Sequence, residues 1–375
     1  MKNVLLIGEW YSDNLGDGII GNTVYNFFQS ECSGTIHFFY CDLSFRDIFV
    51  SETKIIKKTS FVHEEYIYLR KRIKAALSLS SLRPNNGLDY DFRTKIARIL
   101  KDNCIKHIVF GGGQMFLQYF KDKIITIIGL AEEMNIQVYF NACGVANNPT
   151  KEEQDFISLV ESSNVVRFIS LRDGENYFSK NSAVISTFDS AILAHNYYKS
   201  SKKTEVVGVG VMISRLQPPK KQIDFWDGLI NELKNSGSNF QLFCNGAPDD
   251  YAFMLFLKER HSLVDEQLAK KPKKPDELIS LISSYRIIIS LRLHSLITAY
   301  SFRVPCIGIA WDDKVRCFFK KIDREQFCFS FTNGYDDIVN AMNRTLSDKD
   351  FFYKYSYLED IASENMRRII KMIKC

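Results

Sequence analysis

Short apolar runs alternate with amphipathic stretches along most of the chain. Residues 4–7 (VLLI), 36–40, 107–110 (HIVF), 137–140, 165–171, 183–187, 206–213, 240–243, 287–290 (IIIS) and 306–310 (CIGIA) read as strands. Most are apolar at successive positions rather than at alternate ones, the pattern of a strand covered on both faces of a parallel sheet. Helical periodicity fills the gaps, at 19–28, 223–233, 251–260 and 275–284, and behind the capping box Thr150-x-x-Glu153. Asp17 is placed to cap the first of these helices. Ser295 is placed to cap another, which carries Leu296, Ile297 and Tyr300 and ends at Arg303-Val304-Pro305. The tail, 357–374, is an amphipathic helix with basic residues late, which suits its dipole. Strand–helix alternation of this kind predicts doubly wound α/β sheets. The polar, basic, unpatterned stretch 197–204 (YYKSSKKT) divides the alternation in two. We therefore expect two Rossmann-like domains, 1–196 and 205–345, facing an interdomain cleft, with 346–375 as a C-terminal helix.

Composition narrows the class. At 375 residues, 46% hydrophobic and 25% charged, the chain is a globular protein with more than one core. A net charge of +5 suits a phosphorylated small molecule or an anionic lipid surface and is no signature of nucleic-acid binding. No apolar run approaches the roughly 18 residues of a spanning helix, and the run at 4–7 is too short for a signal peptide. The nine cysteines contain no CxxC pair, which fits reduced thiols and a cytoplasmic location. The six histidines contain no HxxH or HExxH spacing, so no metal site is expected. Two basic helical stretches, 68–78 and 92–101, fit solvated helix faces or a surface that leans on anionic membrane. Residues 83–87 form a turn cluster.

The candidate chemistry lies at strand ends. The strands 287–290 and 306–310 carry Arg292, His294, Asp312, Asp313 and Lys314 to their carboxyl rim, where open α/β sheets bind ligands. A guanidinium beside an imidazole at a helix start makes an anion site with a proton donor. Arg172-Asp173 ends another strand, and two arginines on one rim would hold a carboxylate or phosphate bidentately. Gly111, Gly112 and Gly113 follow a strand and open a helix, letting backbone N–H groups approach an anion or sugar. They form neither GxGxxG nor a Walker motif. Asn14 and Asp17 occupy the first strand-to-helix turn, where a carboxylate can hold a sugar hydroxyl or take its proton. Each of these also has a purely structural account: capping for Asp17, an ion pair for Arg172, a packing turn for the glycines, a salt-bridged turn for 312–314.

In combination the residues are more specific. Asn14-x-Gly16-Asp17, Gly111-Gly112-Gly113 with Gln114 and Phe116, Ser170-x-Arg172-Asp173, Arg292-Leu293-His294 with Val304-Pro305, and Trp311-Asp312-Asp313-Lys314 occur in that order. On these motifs the chain resembles the polysaccharide pyruvyl transferase family over residues 8 to 315. It departs at Asn141-Ala142-Cys143-Gly144, where many relatives carry more glycine, and shows no family pattern across 60–106. The resemblance implies a glycosyltransferase-B-like architecture. It also implies transfer of pyruvate from phosphoenolpyruvate onto two hydroxyls of one sugar, giving a cyclic ketal and phosphate. It assigns donor binding to Arg172 and Arg292 and catalysis to His294. Asn14, the three glycines, Gln114, Leu293, Asp312 and Lys314 complete the expected binding set, with Asp17 or Asp173 as the carboxylate that takes a hydroxyl proton and His294 as the acid. Neither cofactor nor metal is implied, phosphoenolpyruvate being a substrate. The expected acceptor is a saccharide of a surface polymer, carried on a lipid or nucleotide, with peripheral contact at the inner face of the membrane. Two alternatives stay open: a nucleotide-sugar glycosyltransferase of the same architecture, and a non-catalytic polysaccharide-assembly protein. The first usually places a glutamate late in the second domain, where Asp312-Asp313-Lys314 stands here. The second predicts that His294→Ala leaves biological activity intact.

Overall fold

The computed structural model describes residues 2–32, 34–44, 49–51, 88–179, 184–214 and 218–375. The basic stretch 68–78 and the turn cluster 83–87 lie outside the described residues. The first sheet contains β1 (Lys2–Gly8), β2 (Ile36–Asp42), β3 (Phe49–Ser51), β4 (Ile105–Phe110), β5 (Gly113–Phe116), β6 (Gln137–Val145), β7 (Val166–Leu171) and β8 (Val184–Ser186). Its order is β3-β2-β1-β4-β6-β7-β8, with β5 paired separately to β6. All pairings are parallel except β2 with β3. The helices are α1 (Leu15–Glu31), α2 (Leu88–Asp102), α3 (Gln118–Glu133) and α4 (Lys151–Ser162). Val4, Leu5, Leu6 and Ile7 are all fully buried, so consecutive apolar residues feed the cores on opposite faces of the sheet. After β1 the chain winds outward to β2 and then returns to β4 on the other side of β1. The order therefore reverses at the carboxyl ends of β1 and β4, which is where such sheets take ligands.

The second sheet has β9 (Val207–Gly210), β10 (Phe240–Phe243), β11 (Ile287–Ser290), β12 (Cys306–Ala310) and β13 (Cys328–Ser330), ordered β10-β9-β11-β12-β13 and wholly parallel. Its helices are α5 (Pro219–Asn235), α6 (Pro248–Arg260), α7 (Pro275–Ser284), α8 (Leu293–Ser301), α9 (Asp313–Lys321) and α10 (Tyr335–Ser347). A final helix, α11 (Tyr355–Lys374), returns to the first lobe and packs against α1 and β6. Its Asn365 Nδ2 donates to Asn141 Oδ1 at 2.8 Å, and its Arg367 pairs with Glu31 at 3.0 Å. One apolar core runs through both lobes, from Val4 and Ile19 through residues 191–194 to Ile288 and Ile309. The lobes thus share buried surface, which fixes one rim against the other. Among the described residues no helix is long and apolar enough to cross a membrane.

Three local expectations change. Asn14, not Asp17, caps α1, its side-chain oxygen accepting from Gly16 N; the Asp17 carboxylate is engaged elsewhere. Helix α8 starts at Leu293 with Arg292 at the N-cap position, and the Ser295 hydroxyl is turned to Asn245 Oδ1 at 2.5 Å. The glycine triplet leads not into a helix but into β5. Gly112 and Gly113, at φ of 107° and 84°, redirect the chain so that Met115 and Phe116 are buried, and α3 begins only at Gln118.

Candidate active site at the joint between the lobes

The turn after β1 builds the first wall. Ser12 Oγ and Asn14 Nδ2 donate to Asp17 Oδ2 at 3.0 and 3.1 Å. This leaves Oδ1 facing Nδ1 of His294 from the second lobe, at 3.3 Å. The contact explains the glycine before Asp17. A Cβ on Gly16 would lie 2.4 Å from the His294 Cβ, so only glycine lets the imidazole settle against α1. The lobes are also tied by backbone: Leu15 N donates to Asn245 O at 2.9 Å, and Asn245 reaches Asn14 Oδ1 at 3.4 Å. Burial by itself would raise the Asp17 pKa. The hydrogen bond of His294, with Ser12 and Arg172, outweighs it and holds the carboxyl below its ordinary value.

The end of β7 builds the second wall. Arg172, only 6% exposed, donates through Nη1 to Asp189 and through Nε to Asp173 Oδ2 at 3.3 Å. Gly144 makes room for it, since a Cβ there would sit 2.9 Å from Arg172 Nε. That gives one glycine of the Asn141–Gly144 stretch a steric role. Asp173 Oδ1 accepts from Val145 N at 2.8 Å, and Asp189 Oδ1 from Ala191 N at 2.9 Å, so both carboxylates are anchored by backbone. Burial opposes charge on Arg172, but Asp189 and Asp173 keep it fully ionised. Across the joint, Arg172 Nη1 lies 2.9 Å from His294 Nε2. A guanidinium can only donate, so this hydrogen bond needs Nε2 without a proton and puts the ring hydrogen on Nδ1, toward Asp17. In this arrangement Nε2 accepts from Arg172 and Nδ1 carries the ring hydrogen.

The remaining expected residues divide. Arg292 does not join Arg172: its Nε and Nη2 donate to Asp250 Oδ2 at 2.9 and 2.5 Å, and Asp250 Oδ1 accepts from Ile213 N at 3.1 Å. Its side chain is 24% exposed, whereas Asp250 is buried. Leu293 packs half-buried against the shared core. Lys314 reaches back to the first lobe, donating to Gln114 Oε1 at 2.6 Å, while Gln114 Nε2 donates to Val145 O at 3.2 Å. Asp312 caps α9 and lies 3.5 Å from the Lys314 ammonium; burial lowers the Lys314 pKa and Asp312 partly restores it. Gly111 N donates to Ile7 O at 2.7 Å, holding the glycine turn to the end of β1. A cavity of about 500 Å³ opens between the lobes, lined by Asp173, Tyr177, Asp313, Lys314, Arg316 and Lys320 among others. None of Arg172, Arg292 and His294 lines this cavity.

The structure also supplies residues the sequence reading did not single out. Asp189, Asp250, Asn245 and Ser12 partner the expected residues, and Glu9 sits at the end of β1. Asp189 and Glu9 each follow an apolar run at a strand end, a signal of the kind that marked Arg172. Asp250 carried none, since it lies in the first turn of α6 like any dipole-matching acid.

In sequence, a family model described as polysaccharide pyruvyl transferase matches residues 14–313. No curated protein matches. Among solved structures, the chain is similar to the UDP-GlcNAc 2-epimerase of Methanocaldococcus jannaschii in complex with UDP-GlcNAc and UDP. The TM-score is 0.58 at 10% identity, covering 99% of this chain and 100% of the other. A putative UDP-N-acetylglucosamine 2-epimerase from Listeria monocytogenes gives 0.64 at 9% identity, covering 100% and 96%. The spinosyn rhamnosyltransferase SpnG gives 0.51 at 11% identity, with both chains fully covered. At such identities the likeness concerns the fold, two Rossmann-like domains of glycosyltransferase-B type. With the match spanning Asn14 to Asp313, most of its length, the chain belongs to the polysaccharide pyruvyl transferase family.

Proposed function

We propose that the protein transfers pyruvate from phosphoenolpyruvate to two hydroxyls of one sugar in a surface polysaccharide or its carrier-linked precursor, releasing phosphate. The observation that carries this reading is the contact of Arg172 with His294 across the joint, with Asp17 behind the imidazole. The donor carries a carboxylate and a phosphate. Arg172 stands at the reacting centre, and Arg292 would hold the donor only after exchanging Asp250 for an anionic oxygen. Once the donor's anionic oxygens draw Arg172 Nη1 from Nε2, the Asp17–His294 pair suits removal of a proton from an incoming hydroxyl: Asp17 fixes the tautomer and stabilises the imidazolium that forms. Asp173, tied to Arg172 and to the Val145 backbone and lining the cavity, borders the acceptor. The reaction uses no cofactor. An acceptor on a lipid carrier would bring the protein to the inner face of the membrane as a peripheral partner.

The test offers purified protein a lipid-linked saccharide with phosphoenolpyruvate and, separately, with a panel of nucleotide sugars. Phosphate release that requires both phosphoenolpyruvate and the saccharide is the expected result. Release of a nucleoside diphosphate without any use of phosphoenolpyruvate would assign the chain to sugar transfer instead, and turnover of neither donor would favour an assembly role.

A further inference from the structure

Ketal formation from an enol phosphate needs a proton delivered to the methylene carbon, and the residues described so far do not offer one. His294 Nε2 holds no proton while it accepts from Arg172, and an arginine does not release one. The Lys314 ammonium is bonded to Gln114 and lies beside Asp312. Among the other acids at these strand ends, Asp42 and Asp313 included, is Glu9. Glu9 directly follows β1, at the point where the first sheet reverses its order. Its carboxyl is turned to the glycine turn after β4: Oε2 lies 3.8 Å from where a Cβ on Gly113 would be. The charged and titratable groups that face it are Asp17 from α1, Asp42 from β2, Lys123 and Tyr119 from α3, and Arg172 from the end of β7. Among the described residues no ion pair engages its carboxyl.

We infer that Glu9, beside the glycine turn and on the same strand-to-helix connection as Asp17, is the proton donor of the proposed pyruvyl transfer. The inference rests on the pyruvyl-transfer reading. Burial, then the charges of Asp17 and Asp42, push its pKa up to about 9, so that at neutral pH it keeps a proton to give. The protons balance. Glu9 gives its proton to the methylene carbon, which becomes a methyl group, and C2 becomes electrophilic. The first hydroxyl oxygen bonds to C2 and loses its proton to His294. The bond from C2 to the phosphate oxygen then breaks, and phosphate leaves with the proton held by His294. The second hydroxyl closes the ring at C2, and its proton restores Glu9.

The experiment compares wild type, Glu9→Gln and Glu9→Asp for phosphate release from phosphoenolpyruvate with a saccharide acceptor, from neutral to alkaline pH. Phosphoenolpyruvate binding is measured in parallel by calorimetry. We expect Glu9→Gln to bind the donor as wild type does while kcat falls by about 100-fold or more, and Glu9→Asp to recover part of the loss. The wild-type rate should fall as pH rises through about 9, and this alkaline limb should be absent from the residual activity of Glu9→Gln. In deuterated water the wild-type product should carry one solvent deuterium in its methyl group. A Glu9→Gln enzyme within about threefold of the wild-type rate, or one that keeps the alkaline limb, overturns the role of Glu9 and leaves pyruvyl transfer standing. A wild-type protein that consumes a nucleotide sugar and no phosphoenolpyruvate overturns both.

Discussion

Two carboxyl groups on one turn, Asp17 and Glu9, show how differently the same rim treats the same chemistry. Both are largely removed from water, and burial raises the pKa of each. At Asp17 two neutral donors and the His294 ring crowd the carboxylate, with Arg172 behind, and the pKa falls below its ordinary value. At Glu9 the charges of Asp17 and Asp42 add to burial and outweigh Lys123 and Arg172, and the pKa rises to about 9. What separates them is the second lobe: His294 crosses the joint to Asp17, and no cation makes the equivalent approach to Glu9 among the described residues. A pair of acids driven apart in this way supplies a base side and an acid side at one pH.

Removing the group that crosses the joint should break the comparison most completely. His294→Asn keeps a polar side chain but no titrating nitrogen; we expect phosphate release to fall by about 1,000-fold or more, measured at saturating phosphoenolpyruvate. Asp17→Asn acts through the same ring. Its amide can donate to Nδ1, which drives the ring proton to Nε2, against the Arg172 donor. A loss of about 1,000-fold in kcat is expected from steady-state assays. Gly16→Ala should cost less activity, about 10- to 100-fold, because its methyl group displaces the imidazole without removing it. The same overlap should lower stability by about 1–3 kcal/mol in urea titrations.

Glu9 sharpens the comparison in the opposite sense. Its carboxyl is neutral in the fold and charged in the unfolded chain between the ordinary glutamate range and about pH 9, so the folded state binds more protons there and stability falls as pH rises. Glu9→Gln removes that dependence and should raise stability near pH 8 by about 1–3 kcal/mol, whereas it slows catalysis. The sign is reversed at Asp17, whose lowered pKa adds stability above the unfolded value and loses it as pH falls through the folded one. Urea titrations of both variants across pH would reveal whether the signs are opposite. The smallest effect is expected at Asp250→Asn, which leaves Arg292 without its carboxylate. Because that guanidinium is still 24% exposed, a loss of about 1–2 kcal/mol is expected in the same titrations.

The elements were largely legible from pattern, and their ends less so. The run at 4–7 and the runs at 287–290 and 306–310 were found as strands because unbroken apolar stretches have few other fates. The capping box at Thr150 and Glu153 was found because it is a purely local hydrogen-bond exchange. The caps of α1 and α8 were misplaced for a common reason. Asp17 and Ser295 are good capping residues, but each has a partner distant in sequence, and tertiary partners outbid a local preference. Arg172 and His294 were legible as strand-end residues of one rim, and they do meet. Arg292 was equally legible in kind. Its turn toward Asp250 was not, because nothing in the first turn of α6 marks an acid that will be buried.

The sequence by itself determined that this chain folds as two parallel sheets, that its polar residues gather at strand ends, and that particular glycines interrupt otherwise apolar turns. Those properties follow from backbone sterics and burial, which act within a few residues of each position. Only the tertiary structure decided that residues 122 positions apart, Arg172 and His294, share a hydrogen bond, and that Gly16 is small for the sake of an imidazole from the other lobe. It alone decided that one carboxyl of a turn is held ionised while its neighbour keeps its proton. Charge interactions act through space, and their size depends on which groups the fold brings within a few ångströms and how much water it leaves between them.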